Sequence, residues 1–104
     1  MQTFSVEAQR HGSCVVINPA GELDIATGPA LEYEARAAIL EAGEPLEAVR
    51  IELGEVTFLD LAGARVLVRC GELARARGAR FRIEHARPQA RRLFELCGLS
   101  ELLD

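Results

Sequence analysis

Val56-Thr57-Phe58-Leu59-Asp60-Leu61-Ala62-Gly63 is the stretch whose reading decides the fold. An alternating apolar run ends on a carboxylate, and a small, glycine-containing step leads into a long amphipathic segment. A strand that stops in this way leaves a short turn whose first helical N–H groups lack intrahelical partners. Open α/β sheets place function there, outside the carboxyl ends of the strands. The side chain standing in this turn is Leu61, which carries no reactive group.

Downstream, Asp60 can cap the helix that follows. On that helix Val66, Cys70, Leu73, Ala74 and Arg77 share one side, with Arg65, Arg69, Glu72 and Ala76 on the other. Gly78 ends it. Ala79, Phe81 and Ile83 then alternate with Arg80, Arg82 and Glu84, a strand whose arginines suit a sheet edge. Pro88 opens a short helix with Leu93, Phe94 and Cys97 expected inward, Gly98 closes it, and Leu99, Leu102 and Leu103 pack a final turn.

Upstream, Val49, Ile51 and Leu53 alternate with Arg50 and Glu52 in a third strand, which Gly54-Glu55 interrupts before Val56. Leu31, Ala35, Ala38, Ile39 and Ala42 form one helical apolar stripe. Thr27 is the expected N-cap, Pro29 lies in the first turn, and Gly43 is the expected C′ residue ahead of Pro45, giving a helix over 28–42. Residues 3–9 alternate strictly, 11–13 read as a turn, and 14–20 return as a more apolar strand, which predicts an antiparallel hairpin. Residues 21–24 follow as a polar break bearing Glu22 and Asp24.

The order is β-β-α-β-α-β-α. Strands separated by helices imply right-handed crossovers and a parallel sheet, which the opening hairpin makes mixed. The expected architecture is α/β: a mixed, mostly parallel sheet of four to five strands with helices mainly on one face, in a single domain over 1–104.

Composition narrows the function classes. At 49% hydrophobic and 27% charged residues the chain reads as an ordinary globular protein. Its longest aliphatic run, Cys14-Val15-Val16-Ile17, is far short of the roughly 20 residues that span a bilayer. The first residues carry neither a basic nor an apolar signal region, so a cytoplasmic location without membrane insertion is expected. Residues 1–52 carry nine acids and three arginines, and residues 53–104 seven acids and nine arginines. That asymmetry supplies no basic stripe for nucleic acid.

Catalytic chemistry finds no footing either. Cys14, Cys70 and Cys97 lack CxxC spacing, fall on apolar faces, and are expected as buried thiols rather than zinc ligands or disulfides. His11 and His85 have no nucleophile nearby in sequence, and the glycines match no phosphate-binding loop. Glu22, Asp24 and Asp60 could gather at one sheet end, but Asp24 and Asp60 have loop and cap roles, so no metal and no cofactor is expected. The chain reads as a binding protein, not an enzyme.

Three motifs carry a family resemblance. Gly-Glu-Leu-Asp at 21–24, Val-Thr-Phe-Leu-Asp at 56–60 ahead of a helix, and Pro88-x-x-x-Arg92-Leu93-Phe94-x-x-x-Gly98-Leu99 resemble the STAS domain in order and spacing. The closest form is the stand-alone bacterial anti-sigma-factor antagonist. The resemblance implies the STAS fold and a partner switch in transcription regulation. Such proteins bind an anti-sigma factor, often a GHKL-type serine kinase, and free a sigma factor. The kinase phosphorylates a Ser or Thr directly after the motif Asp, and this abolishes binding. A helix N-terminus tolerates phosphate well, while about −2 of added charge disrupts an interface.

Here the motif reads Asp60-Leu61-Ala62-Gly63, so Leu61 replaces the phosphoacceptor and Ala62 supplies no neighbouring hydroxyl. Thr57 is a weak substitute on the strand, and no phosphorylation is expected. The expected partner surface is Glu22, Asp24, Ile25, Ala26, Thr27, Asp60, Leu61, Ala62, Gly63, Arg65 and Arg69. The expected partner is an anti-sigma factor. The alternative is the ATPase of an ABC-type phospholipid transport complex, with this chain as a non-switching STAS subunit.

Overall fold

The computed structural model describes residues 3–103. Strands β1 (Ser5–His11) and β2 (Cys14–Leu23) form the expected antiparallel hairpin, from Ser5 opposite Ala20 to His11 opposite Cys14. Its turn uses Gly12 at φ +62, a conformation glycine adopts without a Cβ penalty. β2 runs to Leu23, so Glu22 lies on a strand and not in a polar break. The extension exists because β4 (Val56–Leu59) pairs beside it, parallel, at Gly21, Glu22 and Leu23.

β3 (Ala48–Glu52) pairs parallel with Cys14 to Ile17 of β2, and β5 (Arg80–Glu84) pairs parallel with β3. The interrupted third strand of the sequence is therefore two segments that divide the length of β2 between them. The result is a five-stranded mixed sheet in the order β1-β2-β3-β5, with β4 against the far end of β2. β5 is the edge its arginines suggested.

Three helices cover it: α1 (Gly28–Glu41), α2 (Leu61–Ala76) and α3 (Pro88–Leu96), followed by a 3-10 turn, Ser100–Leu102. The register row Ala8, Ile17, Ile51, Ile83 crosses the sheet beneath α1 and α2. Leu31, Ala35 and Ile39 of α1 and Leu67, Cys70 and Ala74 of α2 complete that core. Side chains alternate between faces, so the adjoining row Gln9, Val16, Arg50, Arg82 looks away from these helices, where Arg50 Nη1 pairs with Glu84 Oε1 at 3.0 Å. α3 packs on β4, and its Gln89 side chain accepts from Leu59 N at 3.0 Å and donates to Leu59 O at 2.7 Å.

Several expectations change. Gly43 does not end α1 in a left-handed turn; the cap residue is Ala42 with an extended ψ of 129. Arginines from elsewhere satisfy the carbonyls there: Arg77 donates to Ile39 O and, at 3.0 Å, to Ala42 O, while Arg10 reaches Gly43 O and Pro45 O at 2.8 Å each. Of the three expected buried thiols only Cys70 is buried. Cys97 is exposed because α3 ends at Leu96 and Cys97 is its cap, outside the apolar stripe that buries Phe94. Cys14 is half-buried, on the face of the sheet away from α1 and α2.

Candidate functional site: the ends of β2 and β4

The carboxyl ends of β2 and β4 lie side by side, and each leads into a helix through a loop held by its own side chains. In the first loop Asp24 Oδ1 accepts from Ala26 N at 2.9 Å and Thr27 N at 3.1 Å. Thr27 Oγ1 donates to Glu22 O at 2.7 Å and accepts from Asp24 N at 2.9 Å. Thr27 is the N-cap residue of α1 as expected, but its hydroxyl ties the loop instead of meeting a helix N–H, because both hydroxyl functions are engaged before the helix begins. With the polar groups turned inward, Ile25 projects into solvent at 79% exposure.

In the second loop Asp60 caps α2 as the sequence indicated, Oδ1 accepting from Gly63 N at 2.9 Å. Leu61, the first residue of α2, is 47% exposed. Ala62 lines a small groove with Ile25, Pro29, Glu32 and Arg69, so the two loops form one continuous surface. Arg69 grips Glu32 through Nε, 3.2 and 3.1 Å from the two oxygens, and Nη2 at 2.8 Å, tying α2 to α1 at the groove wall. The hydrogen bond from Arg69, reinforced by its charge, lowers the Glu32 carboxyl below its ordinary value, and the Arg69 guanidinium is raised in turn. Arg65 is exposed on the same helix.

Most of the expected residues come together: Asp24, Ile25, Ala62 and Arg69 share the groove, Ala26 and Thr27 complete its loop, and Asp60 and Leu61 form the adjoining turn, whereas Gly63 is buried against Leu23 and offers no contact surface. Glu22 stands apart on β2, opposite Phe58. Phe58, absent from the expected set, is 44% exposed there. The run 56–59 does not alternate as read. Val56 and Leu59 are buried, whereas Thr57 and Phe58 are exposed. The cause is a register shift between Gly21 and Glu22: Val56 pairs with Gly21 but Phe58 with Glu22, leaving Thr57 as the extra residue. Nothing within the four residues signals a shift set by the partner strand.

The two central carboxylates of this surface, Asp24 and Asp60, already accept main-chain N–H groups, and among the described residues no three His, Cys, Asp or Glu side chains gather as a metal site. What faces outward from the two loops is Ile25 and Leu61.

The chain is similar to characterised proteins along nearly its whole length. It is 28% identical over 101 residues to the anti-sigma-B factor antagonist of Bacillus subtilis (strain 168), covering 97% of this chain and 89% of that one. The crystal structure of an anti-sigma factor antagonist from Mycobacterium paratuberculosis superposes with a TM-score of 0.80 at 27% identity, over 97% of this chain and 83% of the other. The anti-sigma factor antagonist SpoIIAA in its unphosphorylated form shares the fold, with a TM-score of 0.80 at 20% identity over 98% of this chain and 86% of the other. Residues 6–104 match the family model described as Mlab, STAS domain, and the chain accordingly belongs to the STAS domain family.

Proposed function

We propose that this protein is a non-catalytic regulator of the anti-sigma-factor-antagonist kind, docking on an anti-sigma factor through the ends of β2 and β4. The observation that carries the reading is Leu61: an aliphatic side chain, 47% exposed, at the N-terminus of α2 directly after the capping Asp60. The family resemblance puts a phosphoacceptor hydroxyl at that position. A leucine takes no phosphate, and because about half of its surface is already covered, burying the rest in an interface contributes roughly half of the 1.5–3 kcal/mol of a fully exposed side chain, a several-fold effect on affinity. The protein then acts as a permanently unphosphorylated antagonist, controlled by its abundance. Ile25 extends the apolar contact, and Arg65 supplies charge at its rim.

The missing hydroxyl suits a second role equally: a non-switching STAS subunit beside the ATPase of an ABC-type phospholipid transport complex. The match to a family model described as Mlab favours this alternative. Among the described residues no helix is long and apolar enough to cross a membrane. Affinity purification from the native cell, with mass-spectrometric identification and a phosphosite search, separates the two. A GHKL-type protein supports the antagonist, and an ATPase supports the transport subunit. Phosphate on Thr57 would overturn the view that switching is lost.

A further inference from the structure

The outer edge of β5 presents a second binding surface, built from different groups. β3 pairs β5 on one side, and among the described residues the pairing recorded on its other side is the single bridge from Ile83 to Leu103. Arg80 N donates to Glu47 O at 2.9 Å, and Glu84 O accepts from Leu53 N at 2.8 Å. Main-chain groups alternate in direction along a strand. The even-numbered residues therefore serve the β3 side, and the N–H and C=O of Phe81 turn outward.

A groove of about 620 Å³ runs along this edge. Phe81, Val68 and Leu99 give it an apolar floor, and Arg75, Arg80 and Arg82 stand along it. The Arg75 guanidinium lies 6.0 Å from the centre of the Phe81 ring. Arg80 and Arg82, two residues apart on one face, are both exposed and make no ion pair or side-chain hydrogen bond among the described residues. The acids lining the groove, Glu72 and Glu101, come from α2 and the 3-10 turn, on the helix side of the strand.

We infer that this edge takes an extended acidic segment of a partner protein, added as a strand beside β5. Strand addition draws affinity from main-chain hydrogen bonds and specificity from alternate side chains. Side chains on the face of Arg80 and Arg82 meet two guanidiniums that make no ion pair among the described residues, Glu84, next on that face, being held by Arg50, so carboxylates are selected there. The side chain between them meets Phe81 and Leu99, where Arg75 is outnumbered by Glu72 and Glu101, so an apolar residue is favoured over an acid on that side. The recognised pattern is acidic–apolar–acidic in an extended chain, and a uniformly acidic segment is disfavoured.

The test titrates the whole chain into a short fluorescein-labelled peptide of alternating aspartate and valine, read by anisotropy. A control peptide has the same composition with aspartates and valines in separate blocks. The expected result is saturable binding that weakens with salt, favours the alternating peptide, and falls about tenfold or more in the double variant Arg80→Glu/Arg82→Glu. Amide NMR shifts should concentrate at residues 79–83. Both arginines are exposed, so the double variant is expected to keep wild-type thermal unfolding; if it does not, Arg80→Gln/Arg82→Gln is titrated in the same way. Equal binding by the folded variant, equal binding of the block peptide, or shifts centred on 24–27 and 61–63 would each overturn the inference.

Discussion

Gly63 and Leu23 meet so closely that a methyl group on Gly63 would stand 2.5 Å from the Leu23 carbonyl oxygen and 2.7 Å from Leu59 Cδ1. This contact seats the start of α2 flush against the end of β2 and brings Leu61 beside the loop that carries Ile25. Gly63→Ala forces that seat apart, because the Leu23 oxygen is main chain and the Leu59 methyl is fully buried in the core. Overpacking of this kind costs about 1–3 kcal/mol. Denaturant titration should show the loss, with Ala62→Gly, at the half-buried neighbouring position, costing less.

Arg77 holds the other end of the helix pair. Its guanidinium donates to Ile39 O and Ala42 O and so satisfies the last carbonyls of α1 from the end of α2. Arg77→Ala should destabilise the fold by about 1–3 kcal/mol, since it strips hydrogen bonds to a charged donor. Arg77→Lys should recover part of that loss only, because an ammonium lacks the planar fork that spans two acceptors. Chemical denaturation of the three proteins checks the order.

How far the sequence carries is clear from these elements. The hairpin, α1, α2 with its Asp60 cap, and the edge position of β5 were legible because each follows from periodicity, a cap residue or a charge pattern within one short window. The placement of the 24–27 and 60–63 loops was legible for the same reason, and the resemblance supplies the partner-binding role proposed for them. Phe58 was not, because its exposure depends on a bulge created by pairing with β2 across the whole of α1. The roles of Arg77 and Arg10 were not legible for the same reason: their acceptors are carbonyls far along the chain. Cys97 failed because helical periodicity was carried one residue past the end of a nine-residue helix.

The thiols should separate by reactivity. Burial, reinforced by the nearby Glu32 carboxylate, pushes the Cys70 thiol up to about 12, so the nucleophilic thiolate is scarce at neutral pH. Cys97 is exposed. Alkylation of the native protein with iodoacetamide, followed by peptide mass spectrometry, should label Cys97 first and Cys70 only after denaturant is added. Rapid labelling of Cys70 in the folded protein would show that the α1–α2 seam opens.

The Glu32–Arg69 pair gives a pH dependence of known sign. Glu32 is held below its ordinary value of 4.5, so its contribution to stability is complete above that pH and fades as pH falls through the lowered value. Side-chain exposures of 35% for Glu32 and 50% for Arg69 mean that salt screens the pair and the effect is small. Wild type should exceed Glu32→Gln in melting temperature near neutral pH, and the gap should close under acidic conditions. A gap that widens in acid would contradict the assignment.

The most direct measurement is the calorimetric affinity of wild type and Leu61→Glu for the partner recovered by affinity purification. Leu61 is 47% exposed at the N-terminus of α2, so a carboxylate there should be tolerated by the fold and favoured by the helix dipole. Placed inside the interface it should act as phosphate does, by charge and desolvation. The account predicts a dissociation constant at least about tenfold weaker for Leu61→Glu, with melting temperature unchanged. Wild-type affinity in a folded Leu61→Glu protein would contradict it.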